Sequence, residues 1–160
     1  MDIEEQYDKI YRYCYFKLRQ QHIAEDIAQE TFLRFLESAT YRNTGQALQY
    51  LYTVARNLCI DEYRRKSYER LPEDEKDYHR RIHDSAEHDM EEKLLTSIAV
   101  REALEELREE DRELMLLRYV NEVPVSVISR LLGISRFAVY RRTQAILKSL
   151  QDKLGEEDFI

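Results

Sequence analysis

The sequence predicts an all-α protein of two small helical domains joined by a flexible acidic linker. Three observations carry that expectation. Gly and Pro are scarce, three and two in 160 residues, which disfavours turn-rich sandwiches, barrels and Gly-loop nucleotide folds. Apolar residues recur every three or four positions over most of the chain, the period of an amphipathic helix. Charge is distributed by segment: residues 1–70 hold 11 basic and 11 acidic side chains, residues 71–110 hold 6 against 14, and residues 112–154 hold 8 against 3. The net charge of −7 therefore hides a basic C-terminal module, so partners must be argued module by module.

Hydrophobic residues make up 43% of the chain, enough to build cores and to argue against wholesale disorder. The longest apolar runs fall far short of the roughly 20 residues a membrane span needs. Charges interrupt every apolar stretch of residues 1–20, so no signal-peptide core is expected there. A cytoplasmic protein without membrane insertion follows. Cys14 and Cys59 stand inside apolar helical patterns with no CxxC partner and are expected to be buried, reduced thiols.

The division runs as residues 1–70, a linker at 71–92, residues 93–154 and an acidic tail at 155–160. The first helix is expected from Ile3 to Arg19, with Ile3, Tyr7, Ile10, Cys14 and Leu18 on its apolar side. The second is expected from Ile23 to Ser38, burying Ala24, Ala28, Thr31, Phe32 and Phe35. Its opposite face carries Asp26, Gln29, Glu30, Arg34 and Glu37, with Leu33 in their midst. An apolar side chain centred on a polar face points to a partner surface; a solvated face with one stray Leu is the plainer alternative.

The third helix, expected from Gln46 to Lys66, buries Leu48, Leu51, Ala55, Leu58 and Cys59. Gln46, Tyr50, Thr53, Asn57, Asp61 and Arg64 form a second stripe at steps of 4, 3, 4, 4 and 3, ending in the basic run Arg64, Arg65, Lys66. Aromatics stack on unpaired bases, amides read base edges and a basic end holds phosphates. An ordinary charged solvent face fits the same composition. The polar loop before this helix, residues 40–46, includes Tyr41, Arg42 and Asn43.

The linker contains Pro72 and lacks a sustained apolar period. His79, His83 and His88 stand among its acidic residues, but no matching ligand pair exists elsewhere, so no metal and no cofactor are expected. Its carboxylates are either solvated or folded back over the basic module.

In the second domain a helix is expected from Leu94 to Leu107, with Ile98, Val100, Ala103 and Leu104 on its apolar side. Another is expected from Arg112 to Val120, with Leu114, Met115 and Leu117. Pro124 then suits a helix start, and Val127, Ile128, Leu131 and Leu132 supply the apolar positions of a short helix. Gly133 is the expected left-handed stop, Ile134 fills the core and Ser135 caps the next helix. That helix turns Val139, Ile146 and Leu150 inward and leaves Arg136, Phe137, Tyr140, Arg141 and Gln144 outward. This is the pattern of a DNA-binding helix-turn-helix. Arg141 and Gln144 suit base edges, and Arg136 and Arg142 suit phosphates. A generic helical hairpin with a basic surface is the alternative.

DIAQETFLRFLES (residues 26–38) resembles the core-polymerase-binding helix of bacterial sigma factors. YLYTVARNLCIDEYRRK (residues 50–66) resembles the WLYxIARNxxxDxxRR signature of their extracytoplasmic-function group, with Tyr50 in place of the usual Trp. ALEELREEDRELMLLRYV and the helix-turn-helix after it resemble the fourth sigma domain, with Phe137 where a small residue is frequent.

The resemblance implies a sigma factor that binds the clamp and flap of core RNA polymerase and promoter DNA, commonly under an anti-sigma factor. It implies core-polymerase contacts at Asp26, Gln29, Glu30, Leu33 and Arg34. Minus-ten contacts are implied at Tyr41, Arg42, Asn43, Tyr50, Thr53, Asn57, Asp61, Arg64 and Arg65, and minus-thirty-five contacts at Arg136, Phe137, Tyr140, Arg141, Arg142 and Gln144. The competing reading is a stand-alone helix-turn-helix regulator with an N-terminal dimerisation or sensor domain. An enzyme has no support, for want of a phosphate loop, clustered ligands or a nucleophile–base pair.

Overall fold

The computed structural model describes residues 1–38, 44–69 and 98–155, every regular element of which is helical. The expected linker and acidic tail, apart from Gly155, lie outside the described residues, as do Tyr41, Arg42, Asn43 and Leu94. The chain divides into two compact units, residues 1–88 and 89–160.

The first unit is three mutually packed helices, α1 (Ile3–Leu18), α2 (Gln21–Glu37) and α3 (Thr44–Glu69). Asp2 starts α1: its carboxylate accepts the Glu5 N–H at 3.2 Å, and Glu4 and Glu5 complement the positive helix end. Arg19 stops it in the left-handed region at φ 58°, its N–H bonded to the Tyr15 carbonyl at 2.7 Å. That residue does the work usually given to Gly, and α2 begins two positions later.

Ile10, Cys14 and Leu18 are buried as expected, joined by Tyr13 and Tyr15. Ile3, the first residue of α1, is instead 48% exposed. From α2 come Ala24, Ile27, Ala28, Thr31 and Phe32, and from α3 Ala47, Leu48, Leu51, Tyr52, Ala55 and Cys59. Leu58 is half-buried rather than core. The Thr31 hydroxyl donates to the Ile27 carbonyl at 2.7 Å, so its burial leaves no donor stranded. Tyr13 and Tyr52 meet edge to face at 5.7 Å between ring centroids, a favoured aromatic geometry. Cys14 and Cys59, both free and buried, neighbour each other between α1 and α3; the contact with Cys59 and burial together push the Cys14 thiol well above its ordinary value.

The second unit comprises α4 (Ile98–Glu105), α5 (Glu109–Met115), α6 (Val125–Leu132) and α7 (Arg136–Leu154), with α7 packed against the other three. α5 begins three residues before the expected Arg112, using Glu109, Glu110 and Asp111 as an acidic first turn. It then widens into a π-helical stretch, Leu116–Val120, whose exit is held by the Asn121 N–H on the Leu116 carbonyl at 2.8 Å. Buried Leu114, Met115, Leu116 and Leu117 meet Val127, Ile128, Val139, Ile146 and Leu150 in one core. Lys153 pairs with Glu106 at 3.0 Å, tying the far end of α7 to the chain just after α4.

Candidate nucleic-acid and polymerase interfaces

The turn between α6 and α7 is built by backbone chemistry that its sequence announces. Pro124 precedes α6 in extended conformation, and its carbonyl accepts from Val127 and Ile128 at 2.9 and 3.0 Å. Gly133 ends the helix at φ 69°, donating its N–H to Ser129. Ile134 follows, half-buried, with its N–H on the Ser129 carbonyl at 3.1 Å and its own carbonyl accepting from the Ser129 hydroxyl. Ser135 opens α7 by accepting the Ala138 N–H on its hydroxyl at 3.0 Å. Val139, Thr143, Ile146 and Leu150 then face inward.

Arg136, Phe137, Tyr140, Arg141 and Gln144 are all exposed and share one face of α7, an arc of about 140° at the helical period. Phe137 is the most exposed large apolar residue among the described residues, at 70%. The Arg141 guanidinium lies 5.6 Å from its ring centroid. Arg118, on the π-helical stretch, stands between Tyr119 and Tyr140, at 5.6 and 6.0 Å. These are cation–π contacts that hold the guanidinium carbons and leave polar edges outward. Arg142 is separated from this face. It is half-buried and reaches Asp111 at 3.7 Å and Glu110 at 3.9 Å on α5.

In the first unit, Thr53, Asn57, Asp61 and Arg64 are exposed and line up with exposed Gln46 within about 80° of α3. Tyr50 belongs to the same line but is half-buried, its ring 6.2 Å from Phe35 in a chain of rings running on to Phe32 and Tyr7. Arg65 makes a two-pronged pair with Glu62, at 2.6 and 3.2 Å, and this holds the Glu62 carboxyl below its ordinary value. Lys66 bonds to Gln20 at the turn between α1 and α2.

On α2 the exposed residues Asp26, Gln29, Glu30, Leu33 and Arg34 form the outer face, with Glu30 and Arg34 paired at 2.9 Å. Leu33 is 55% exposed and Leu36, one turn on, is 64% exposed. Sequence reasoning missed Leu36; its three-residue spacing from Leu33 was the available signal. Among the described residues no group of three His, Cys, Asp or Glu is placed to hold a metal ion, and no helix is long and apolar enough to cross a membrane.

A helix-turn-helix unit with an aromatic and basic outer face, and a separate three-helix unit with a polar stripe, define a two-module DNA-binding protein. The family model for sigma-70 region 2 matches residues 3–68, and that for sigma-70 region 4 matches residues 97–150. The chain is 29% identical over 158 residues to the ECF RNA polymerase sigma factor SigW of Bacillus subtilis, covering 91% of this chain and 84% of SigW. It is 28% identical to the ECF sigma factor BldN of Streptomyces coelicolor, over 91% of this chain and 57% of that longer protein. It is 27% identical to the sigma factor YlaC of Bacillus subtilis, over 96% and 92%. A solved structure of an RsbN–BldN complex aligns at 22% identity over 94% of this chain and 87% of that one, with a TM-score of 0.33.

The chain belongs to the sigma-70 family, in its extracytoplasmic-function group. Its activity is therefore promoter-specific initiation of transcription with RNA polymerase, a task of binding rather than catalysis.

Proposed function

We propose that the two units divide promoter recognition between them. The first, residues 1–70, docks on the clamp of core polymerase through Asp26, Gln29, Glu30, Leu33 and Arg34 of α2. It takes the minus-ten element with Tyr50, Thr53, Asn57, Asp61, Arg64 and Arg65, together with Tyr41, Arg42 and Asn43. The second, residues 93–154, rests on the polymerase flap and reads the minus-thirty-five duplex with Arg136, Phe137, Tyr140, Arg141 and Gln144. Arg142 joins them at a phosphate by leaving the α5 carboxylates. Residues 71–92 tether the two, and residues 155–160 form an acidic tail.

One observation carries this reading: the stripe of α3 and the outer face of α7 belong to different units, each with its own core. A protein reading a single duplex operator needs one such surface. Two suit a promoter, where one element stays duplex and the other is melted. Extruding bases costs a few kcal/mol of unstacking, which base stacking on aromatics and phosphate contacts offset.

The protein acts in the cytoplasm, with the nucleoid when bound to polymerase, and an anti-sigma factor is its proposed inhibitor. The test is run-off transcription on promoter fragments with purified core polymerase, beside duplex binding by the free chain. Promoter-specific transcripts and weak unaided binding are expected. Tight unaided binding as a dimer, with no transcript, would support the stand-alone regulator instead.

A further inference from the structure

Phe137 is an expensive residue to leave in water. It stands second in α7, 70% exposed, at the helix end that enters the major groove in a helix-turn-helix. Its ring carries no hydrogen-bonding group, so it reads no donor or acceptor pattern. The apolar feature the major groove offers is the C5-methyl group of thymine. One turn further on, Arg141 lays its guanidinium over the same ring at 5.6 Å. The ring thereby braces the planar fork, and a braced fork suits the O6 and N7 acceptors of guanine. One face of the ring is occupied by Arg141, which leaves its other face and its edge for a neighbouring base.

We infer that Phe137 and Arg141 act as one reading unit, in which Phe137 selects a pyrimidine bearing a C5-methyl group next to the guanine taken by Arg141. The inference rests on the minus-thirty-five reading of α7 and adds a base class to it. Among the other exposed residues of this face, Arg136 carries charge, Gln144 carries an amide, and Tyr140 carries a ring tipped by a polar hydroxyl, with Arg118 over it at 6.0 Å.

The experiment assembles the full chain with core RNA polymerase and selects bound promoters from a duplex library randomised across the minus-thirty-five element. Wild type, Phe137→Ala and Arg141→Ala are compared after circular dichroism shows each to be folded. Wild type should enrich thymine beside guanine. Phe137→Ala should lose the thymine and keep the guanine, whereas Arg141→Ala should lose the guanine.

Replacing that thymine with deoxyuridine removes the methyl alone. It should weaken wild-type binding about three- to fivefold, the ratio expected for burying one methyl group, and leave Phe137→Ala unaffected. Equal wild-type binding to thymine and deoxyuridine, or a thymine preference surviving in Phe137→Ala, overturns the inference while a guanine preference lost in Arg141→Ala keeps the reading of α7 standing. A selection profile unchanged in both variants overturns that reading together with the inference.

Discussion

Gly133 ends α6 in the left-handed turn that leads to α7, and its replacement by Ala should be costly for one reason alone. Its φ of 69° lies in the left-handed region, and a Cβ built there meets nothing within 4 Å. The penalty is therefore conformational, about 1–2 kcal/mol for an L-residue forced into that region, with no clash to add. Gly133→Asn should cost less, because Asn enters the left-handed region far more readily. Amide hydrogen exchange of the full chain reads this locally. A loss of about 1–2 kcal/mol multiplies the open population roughly 5- to 30-fold, so α6 and α7 amides should exchange that much faster in the Ala variant. Amides of α1–α3 should be unchanged. Equal exchange in the Ala variant and wild type, or a larger loss for Asn than for Ala, would refute the reasoning.

Leu33→Asp should weaken binding to core polymerase at least tenfold in a competition assay, while stability moves by no more than about 0.5 kcal/mol because the site is exposed; a lost helical circular-dichroism signal would mean Leu33 is structural. Asn57→Ala and Arg64→Ala should slow open-complex formation, read by permanganate footprinting, without changing polymerase affinity, and normal opening in both would count against the α3 stripe. The lowered Glu62 value gives a pH dependence of definite sign. The Arg65–Glu62 contribution is complete above the ordinary glutamate range and is lost as pH falls through the lowered value, so Glu62→Gln should flatten the acid limb of the unfolding profile. Arg136→Ala should reduce the salt slope of promoter binding by about 0.9. Arg142→Ala should do the same if it reaches a phosphate, and an unchanged slope would leave it as a partner of Asp111, worth at most about 1 kcal/mol of stability at that half-exposed position.

Much of the fold was legible because local chemistry decides it. Gly133, Ser135 and Pro124 each carry a backbone or capping requirement visible in the residue itself, and each stands where the sequence placed it. The wheel of α2 put Leu33 outside, where it is. What stayed hidden depends on neighbours. The burial of Tyr13 and Tyr52 is settled by how two rings meet across helices, and a Tyr in an amphipathic pattern suits either side. The π-helical widening after α5, in which Leu116 and Leu117 are buried, is signalled by no residue type. Arg142 looked like its neighbours Arg136 and Arg141 in sequence, yet one step along the helix turns it to Asp111. Within the candidate interfaces, then, the exposed stripes were readable from spacing, whereas the partial burial of Tyr50 against Phe35 required the packing of α2 on α3.

The paired thiols of the first unit give the molecule a chemical clock. A sulfur buried between packed helices is closed to a reagent in solution. Alkylating reagents therefore reach Cys14 and Cys59 chiefly when α1 and α3 separate, and the labelling rate becomes a count of those openings. Because the chain has two cysteines and both lie in this three-helix unit, the count reports that unit and is silent about the helix-turn-helix. A polymerase that clasps the first unit would slow the clock, and a melted one would start it running at the speed of a free thiol.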